Sequence, residues 1–276
     1  MKISQKEFNL FRRLIQEKCG IALDDTKAYL LENRLARMLT DSLCKNFGDL
    51  YFKLKSTRSD KLLKKMIEAV TTKETLWFRD QYPFKALHHI IFPEIVTKSQ
   101  VSEINIWSAG CSTGQETYSI AMTAQEYSKT ITNAQNFIKR ISIMGTDISS
   151  QSIEHALIGE YDEIAIQRGL SETRLKQFFY KNGKNWQIND TIKKMTLFEY
   201  QNLLELPKRF GPFDIIFLRN VMIYFSEELK KDLFKQMTSI LKKDGYMFLG
   251  TGETVHGYSD RFQIIRYDGG IFFQLS

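Results

Sequence analysis

The spacing of apolar positions along this chain changes after residue 100. From Ser4 to about Val70 they recur three and four residues apart, at Phe8, Phe11, Leu14 and Ile15 and again at Leu35, Met38 and Leu39. That period places them on one face of successive amphipathic helices and predicts a small helical bundle. Ser4 followed by Glu7 reads as a capping box, and Gly20 as a turn. Further on, short continuous apolar runs take over. INIWSA at 104–109 and ISIMGTD at 141–147 read as strands, each followed by a helical stretch, and FDIIFLR is a third strand ending at Arg219. Short apolar strands alternating with helices predict an α/β domain with a largely parallel sheet.

Three segments depart from that alternation. LKKDGYMFLGTGE reads as a turn, a buried strand and a glycine-rich exit, and RFQIIRYDGGIFFQL as a hairpin around Asp268, Gly269 and Gly270. The stretch from Phe178 to Phe198 alternates polar and apolar residues around an Asn182-Gly183 turn, which predicts a small antiparallel appendage at about 178–198. Residues 71–100, beginning TTKETLWFRDQYPF, form a junction with an aromatic cluster around Arg79. The expected domains are therefore a helical one over 1–75 and an α/β one over 76–276.

With 276 residues and 43% hydrophobic side chains there is ample material for a core, and four prolines with fifteen glycines exclude a collagen-like or disordered chain. The formal charge of +7 is unevenly placed: residues 1–70 hold fifteen Lys/Arg against nine Asp/Glu, so +6 of it lies in the helical front. Such a front is either a solvated surface or a face for an acidic partner, and charge alone does not choose among nucleic acid, membrane and acidic protein. Cys19, Cys44 and Cys111 lack CxxC spacing, and the four histidines form no ligand array, so neither a disulfide scaffold nor a metal site is expected. With no secretory signal or membrane-length apolar run, the expected location is the cytoplasm.

The chemistry is expected at the strand ends. The AGCSTG loop, 109–114, hands a strand over to a helix, where Gly110 and Gly114 permit close approach and the helix start offers free N–H groups. It lacks the lysine of a P-loop and the full dinucleotide fingerprint. Asp147 ends the next strand, where a carboxylate either accepts ribose hydroxyls or caps the following helix. Glu116 is either a favourable charge at a helix start or a polar cofactor ligand. Arg219, Asn220 and Tyr224 follow the third strand, and Asn202 follows FEYQ as a turn residue or a ligand.

These segments together resemble the chemotaxis receptor methyltransferases, which are class I protein-glutamate O-methyltransferases using S-adenosyl-L-methionine. LENRLARML, TTKETLWFRD, IWSAGCSTGQETYSIA, GTDIS, GEY, FEYQNLL, FDIIFLRNVMIYF and DGYMFLGTGE carry the resemblance, in order and over nearly the whole chain. It implies a small all-α domain before a Rossmann-like cofactor-binding domain, with the β appendage inserted. It implies cofactor contacts from Lys73, Thr75, Arg79, Gly110, Gly114, Glu116, Asp147, Asn202, Leu203, Arg219 and Asn220, with Arg79 and Tyr224 nearest the substrate. S-adenosyl-L-homocysteine would be the product. The implied partners are methyl-accepting receptor cytoplasmic domains, met by the basic front through Arg34, Arg37 and nearby lysines, and a receptor tether met by the appendage. A monomer recruited to receptor arrays is expected. The chain departs from the family at Lys73, usually asparagine, at Gln115 and Thr117, usually glutamate and proline, and at Leu218, usually cysteine. A nucleic-acid methyltransferase and a non-catalytic receptor-binding relative are the alternatives.

Overall fold

The helical period of the front becomes four helices, α1 (Gln5–Cys19), α2 (Ala28–Asp41), α3 (Phe47–Ser56) and α4 (Asp60–Val70), in a computed structural model describing residues 2–56, 60–98, 103–207 and 211–276. Ser4 and Glu7 close the capping box, and Gly20 ends α1 in the left-handed conformation. Phe8, Phe11, Leu35, Leu50 and Met66 are fully buried in the bundle core.

In chain order the strands are β1 (Ile104–Ala109), β2 (Ile141–Asp147), β3 (Glu160–Tyr161), β4 (Phe179–Asn182), β5 (Asn185–Ile188), β6 (Thr196–Tyr200), β7 (Phe213–Leu218), β8 (Leu241–Leu249), β9 (Phe262–Tyr267) and β10 (Gly270–Leu275). Seven of them form one sheet in the order β6-β2-β1-β7-β8-β10-β9, parallel through β8 and closed by the antiparallel terminal hairpin. Ile106 of β1 pairs with Ile143 on one side and Ile215 on the other. The chain thus winds away from β1 in both directions, and a crevice opens at the carboxyl ends of the strands flanking that switch point.

The remaining helices are α5 (Tyr82–Ala86), α6 (Phe92–Thr97), α7 (Gln115–Ser128), α8 (Ala134–Lys139), α9 (Ser150–Ile158), α10 (Glu163–Gln167), α11 (Glu172–Phe178), α12 (Asp190–Lys193) and α13 (Glu227–Ile240). A π-type turn over Leu87–Ile91 joins α5 to α6, just before Pro93, which has no N–H for the carbonyl one turn back. One core cluster packs α7 and the junction against the sheet, and α13 packs the opposite face. Among the described residues no helix is long and apolar enough to cross a membrane.

Two sequence expectations shift. The appendage expected at about 178–198 is a three-stranded sheet, β3-β5-β4, that recruits Glu160 and Tyr161 from upstream, while Thr196–Phe198 belong to β6 beside β2. The turn expected before YMFL is an excursion inside β8. Leu241 pairs with Phe213, the next pair is Tyr246 with Ile215, and the extra residues loop out with Asp244 at φ 60°.

Candidate active site

A cleft of about 600 Å³ lies at the switch point, walled by both domains. Ile21, Lys27 and Arg34 come from the helical front, and Gly110, Asp147 and Arg219 from the strand ends. The volume falls in the range of roughly 300–1,000 Å³ usual for small-molecule sites.

The β1 loop makes the floor. Gly110 has φ 82°, and a Cβ there would stand 2.5 Å from Val221 Cγ2, so glycine is what lets the loops after β1 and β7 meet. Ser112, also at positive φ, is fixed twice. Its N–H donates to Asp147 Oδ2 at 2.8 Å and its hydroxyl to the Lys73 carbonyl at 3.0 Å. Asp147 Oδ1 accepts the Ser149 N–H at 2.8 Å, and the cap of α9 is Ser149, whose side chain accepts from the Ser152 amide. Asp147 is therefore a brace of the cleft floor and not the helix cap. Each of its oxygens keeps a lone pair for a ligand. Burial pushes its pKa above the ordinary aspartate value against the pull of the two amides.

Behind the floor lies a buried charge network. Arg219, with 1% of its side chain exposed, donates to Glu116 Oε2, Asp80 Oδ2 and the Arg79 carbonyl, each at 2.7 Å. Ser108 donates to the other Glu116 oxygen at 2.8 Å. Burial presses the Arg219 pKa down, but Glu116 and Asp80 outweigh it and leave the guanidinium firmly charged. Arg219 Nε is buried with no hydrogen-bond partner among the described residues.

Arg79 owes its position to the aromatic residues before it. Trp77 is buried against Tyr161 and Phe179, and Phe78 lies under the Arg174 guanidinium, 3.6 Å from its ring centre. Phe78, Asp80 and Gln81 all have positive φ, a strained turn held by those anchors. Arg79 lines the cleft from this turn, and among the described residues its guanidinium has no partner. Tyr224 also lines the cleft, at the end of a 3₁₀ turn over Met222–Tyr224. Its carbonyl accepts the Ala22 N–H at 2.8 Å, and Ile21 forms an isolated bridge with Phe225, so the helical front is laddered onto the Tyr224 segment.

The cleft gathers Thr75, Arg79, Gly110, Glu116, Asp147, Asn202, Leu203, Arg219, Asn220 and Tyr224. Two expected residues fall outside it. The Lys73 ammonium turns to Glu68 and Gln151, at 2.8 Å each, and only its carbonyl serves the floor through Ser112. Gly114 starts α7 in the left-handed conformation against Ala156 and does not line the cleft. Two others have different attachments from those expected. Asn202 donates to the Lys18 carbonyl at 2.8 Å and accepts from the Leu204 amide, tying the β6 loop to the end of α1. Arg34 donates to the Val70 carbonyl and to Thr72, so it ties α2 to the junction.

Three residues were not foreseen. Asp80 partners Arg219; Glu68 receives Ser149 Oγ at 2.6 Å and the Gln151 amide at 3.0 Å; Glu253 receives three backbone N–H groups beside the Asn220 loop. Asp80 and Glu253 stood within the quoted FRD and GTGE segments, but residue type alone gave no sign of their partners. Burial, Asp147 and Glu116 hold the Cys111 thiol well above the ordinary cysteine value.

Two carboxylates, Asp147 and Glu116, thus stand on a wall that includes Leu76, Phe84, Ile148, Leu203 and Val221. That donor set suits a ligand with a cationic end, hydroxyls able to donate, and a flat apolar part, and so fits S-adenosyl-L-methionine. The family model for the CheR methyltransferase SAM-binding domain matches residues 73–271, and that for the CheR methyltransferase all-alpha domain matches residues 6–71. The chain is 37% identical over 275 residues to chemotaxis protein methyltransferase Cher2 of Pseudomonas putida, covering 99% of each chain. It is 40% identical over 274 residues to a chemotaxis protein methyltransferase of Vibrio parahaemolyticus, covering 99% of this chain and 98% of that one.

Proposed function

The chain belongs to the CheR family of chemotaxis methyltransferases, and from that premise we propose how its cleft and surfaces divide the reaction. It is a methyltransferase that uses S-adenosyl-L-methionine to convert glutamate side chains of chemoreceptors into methyl esters. That family assignment displaces the nucleic-acid reading of the basic front. The bound cofactor supplies an electrophilic methyl group on a sulfonium and is left as S-adenosyl-L-homocysteine.

In our reading Asp147 accepts ribose hydroxyls and Glu116, held by Arg219 and Ser108, faces the cationic amino-acid end. Thr75, Gly110, Asn220 and the backbone around Asn202 and Leu203 complete the contacts. Arg219 acts by holding Glu116 in place, and Lys73 by its carbonyl on Ser112. A receptor glutamate is already ionised at neutral pH, so no general base is required. The protein's work is alignment. Arg79 orients the carboxylate and Tyr224 donates a hydrogen bond to it. An arginine that bound the carboxylate too tightly would stabilise the ground state and slow transfer, so Arg79 is an orienting group with no proton-transfer role.

The observation that carries this reading is the Arg79 guanidinium, without a partner among the described residues, which lines the same cleft as Asp147 and Glu116 and follows the buried Trp77 and Phe78. Arg79→Ala is expected to lower kcat/KM for a receptor fragment by about a hundredfold while leaving S-adenosyl-L-homocysteine affinity within a few fold. Unchanged kcat/KM would remove the orienting role.

The basic front steers the acidic methylation region of the receptor, with Arg37, whose side chain is 90% exposed, a more available contact than the tied Arg34. The appendage offers the open edge of β4 to an extended receptor tether. The enzyme works as a cytoplasmic monomer recruited to receptor arrays.

A further inference from the structure

Glu253 is a buried acid, 8% exposed, that no role discussed so far uses. Among the described residues its carboxylate meets no cation; its partners are backbone amides. Oε2 accepts the Gly250 N–H at 2.6 Å and the Asn220 N–H at 2.8 Å, and Oε1 accepts the Ile223 N–H at 3.3 Å. The last two lie on the loop after β7, and Ile223 is the residue before Tyr224. Asn220 sits at φ 60°, in the left-handed region that asparagine tolerates better than most residues with a Cβ, and Glu253 holds its N–H there.

The cradle around the carboxylate is tight. A Cβ on Gly250 would stand 2.6 Å from Asn220 Nδ2, 2.7 Å from the Asn220 amide and 2.7 Å from Glu253 Oε2. Tyr224 is thus held from two sides, through Ala22 of the helical front on its carbonyl and through Glu253 on the amide preceding it. A neutral amide side chain in place of Glu253 would turn one acceptor into an N–H donor facing backbone donors.

We propose that Glu253 is a positioning residue for methyl transfer, fixing the Asn220–Tyr224 loop so that the Tyr224 hydroxyl meets the substrate carboxylate. The proposal rests on the reading of Tyr224 given above. Its chemistry is indirect: Glu253 touches neither substrate nor cofactor, and its effect passes through backbone amides to one hydroxyl.

A double-mutant cycle tests it on the full chain with a receptor cytoplasmic fragment and labelled methyl donor, using Glu253→Gln, Tyr224→Phe and the pair. Glu253→Gln is expected to lower kcat about tenfold or more, with a smaller loss of S-adenosyl-L-homocysteine affinity passing through the Asn220 amide. In the Tyr224→Phe background the same change should cost no more than about twofold, because the hydroxyl it positions is gone. Equal losses in both backgrounds would overturn the proposal while leaving the Tyr224 reading intact. A Tyr224→Phe enzyme with unaltered kcat would overturn both. Should Glu253→Gln fail to fold, Gly250→Ala crowds the same cradle without altering charge, and the same non-additive kcat loss with Tyr224→Phe is expected. Strict additivity there would again overturn it.

Discussion

The Arg219 guanidinium donates to the Glu116 carboxylate at 2.7 Å, joining the end of β7 to the first turn of α7 beneath the cleft. Arg219 is buried and Glu116 largely so, and Arg219 also holds Asp80 and the Arg79 carbonyl, so one side chain ties the start of α7 to the turn that carries Arg79. Removing one partner of a buried ion pair leaves an uncompensated charge. Arg219→Ala is expected to lower unfolding free energy in urea by about 3–5 kcal/mol and to abolish measurable S-adenosyl-L-homocysteine binding. A stability loss below about 1 kcal/mol would mean the network is not coupled as described.

Asp147 sets a pH dependence with two opposite signs. Its folded pKa is raised by burial, so its own contribution to stability is fully present below the unfolded value near 3.9 and is lost as pH rises through the folded one. In the proposed role, where the ionised carboxylate accepts the ligand's hydroxyls, binding runs the other way. S-adenosyl-L-homocysteine affinity should therefore fall as pH drops through the folded pKa, by up to about tenfold per unit, and the fall should disappear in Asp147→Asn. Calorimetric titrations across acidic pH check this. A variant that retains the wild-type slope would assign the titration elsewhere.

Glu68 latches α4 of the helical front to the start of α9. Burial presses its pKa up, but hydrogen bonds from Lys73, Ser149 and the Gln151 amide more than offset it and leave it lowered. Its contribution is present above the unfolded glutamate value near 4.3 and lost as pH falls through the folded one. Glu68→Gln should cost about 1–3 kcal/mol near neutrality and less in acid, read from urea melts of both proteins across pH. A cost that did not shrink in acid would contradict the latch.

Gly110→Ala tests the meeting of the two strand-end loops. The new methyl would stand 2.5 Å from Val221 Cγ2 at a φ of 82°, so both the loop and its neighbour must move. The expected loss is about 1–3 kcal/mol of stability together with cofactor affinity. Thermal melting with and without S-adenosyl-L-homocysteine reads both, and a ligand-induced shift of wild-type size would count against the close approach.

Strand positions were legible because β1, β2 and β7 are buried apolar runs bounded by polar or glycine residues, and the terminal hairpin carried its own turn. The place of Asp147 and Glu116 on the cleft was legible because one ends a strand and the other stands at a helix start. Asn202 and Arg34 were not. Each is spent on a contact between distant segments, Asn202 with Lys18 and Arg34 with Val70, and no local spacing encodes such a meeting. Lys73 lies outside the cleft for a related reason: its ammonium meets Glu68 and Gln151, and only its carbonyl braces the floor, through the Ser112 hydroxyl. Glu253 ends a glycine-rich segment whose spacing says nothing of the Asn220 loop that the fold brings against it.

The salt dependence of receptor encounter tests the basic front. Raising ionic strength from about 0.01 to 0.15 M shortens the Debye length from about 30 to 8 Å, so the association rate should fall, and less steeply for Arg37→Ala. A rate indifferent to salt would make the front an ordinary solvated surface.

The central claim, a cleft that aligns a receptor glutamate with a methyl donor through Arg79 and Tyr224, is tested most directly by product mapping. The full chain is incubated with labelled S-adenosyl-L-methionine and receptor cytoplasmic fragments, and the modified residues are located by peptide mass spectrometry for wild type, Arg79→Ala and Tyr224→Phe. Wild type is expected to give base-labile methyl esters on glutamates, and both variants strongly reduced yields at the same positions. Label on other residue types, or undiminished glutamate labelling by both variants, would contradict it.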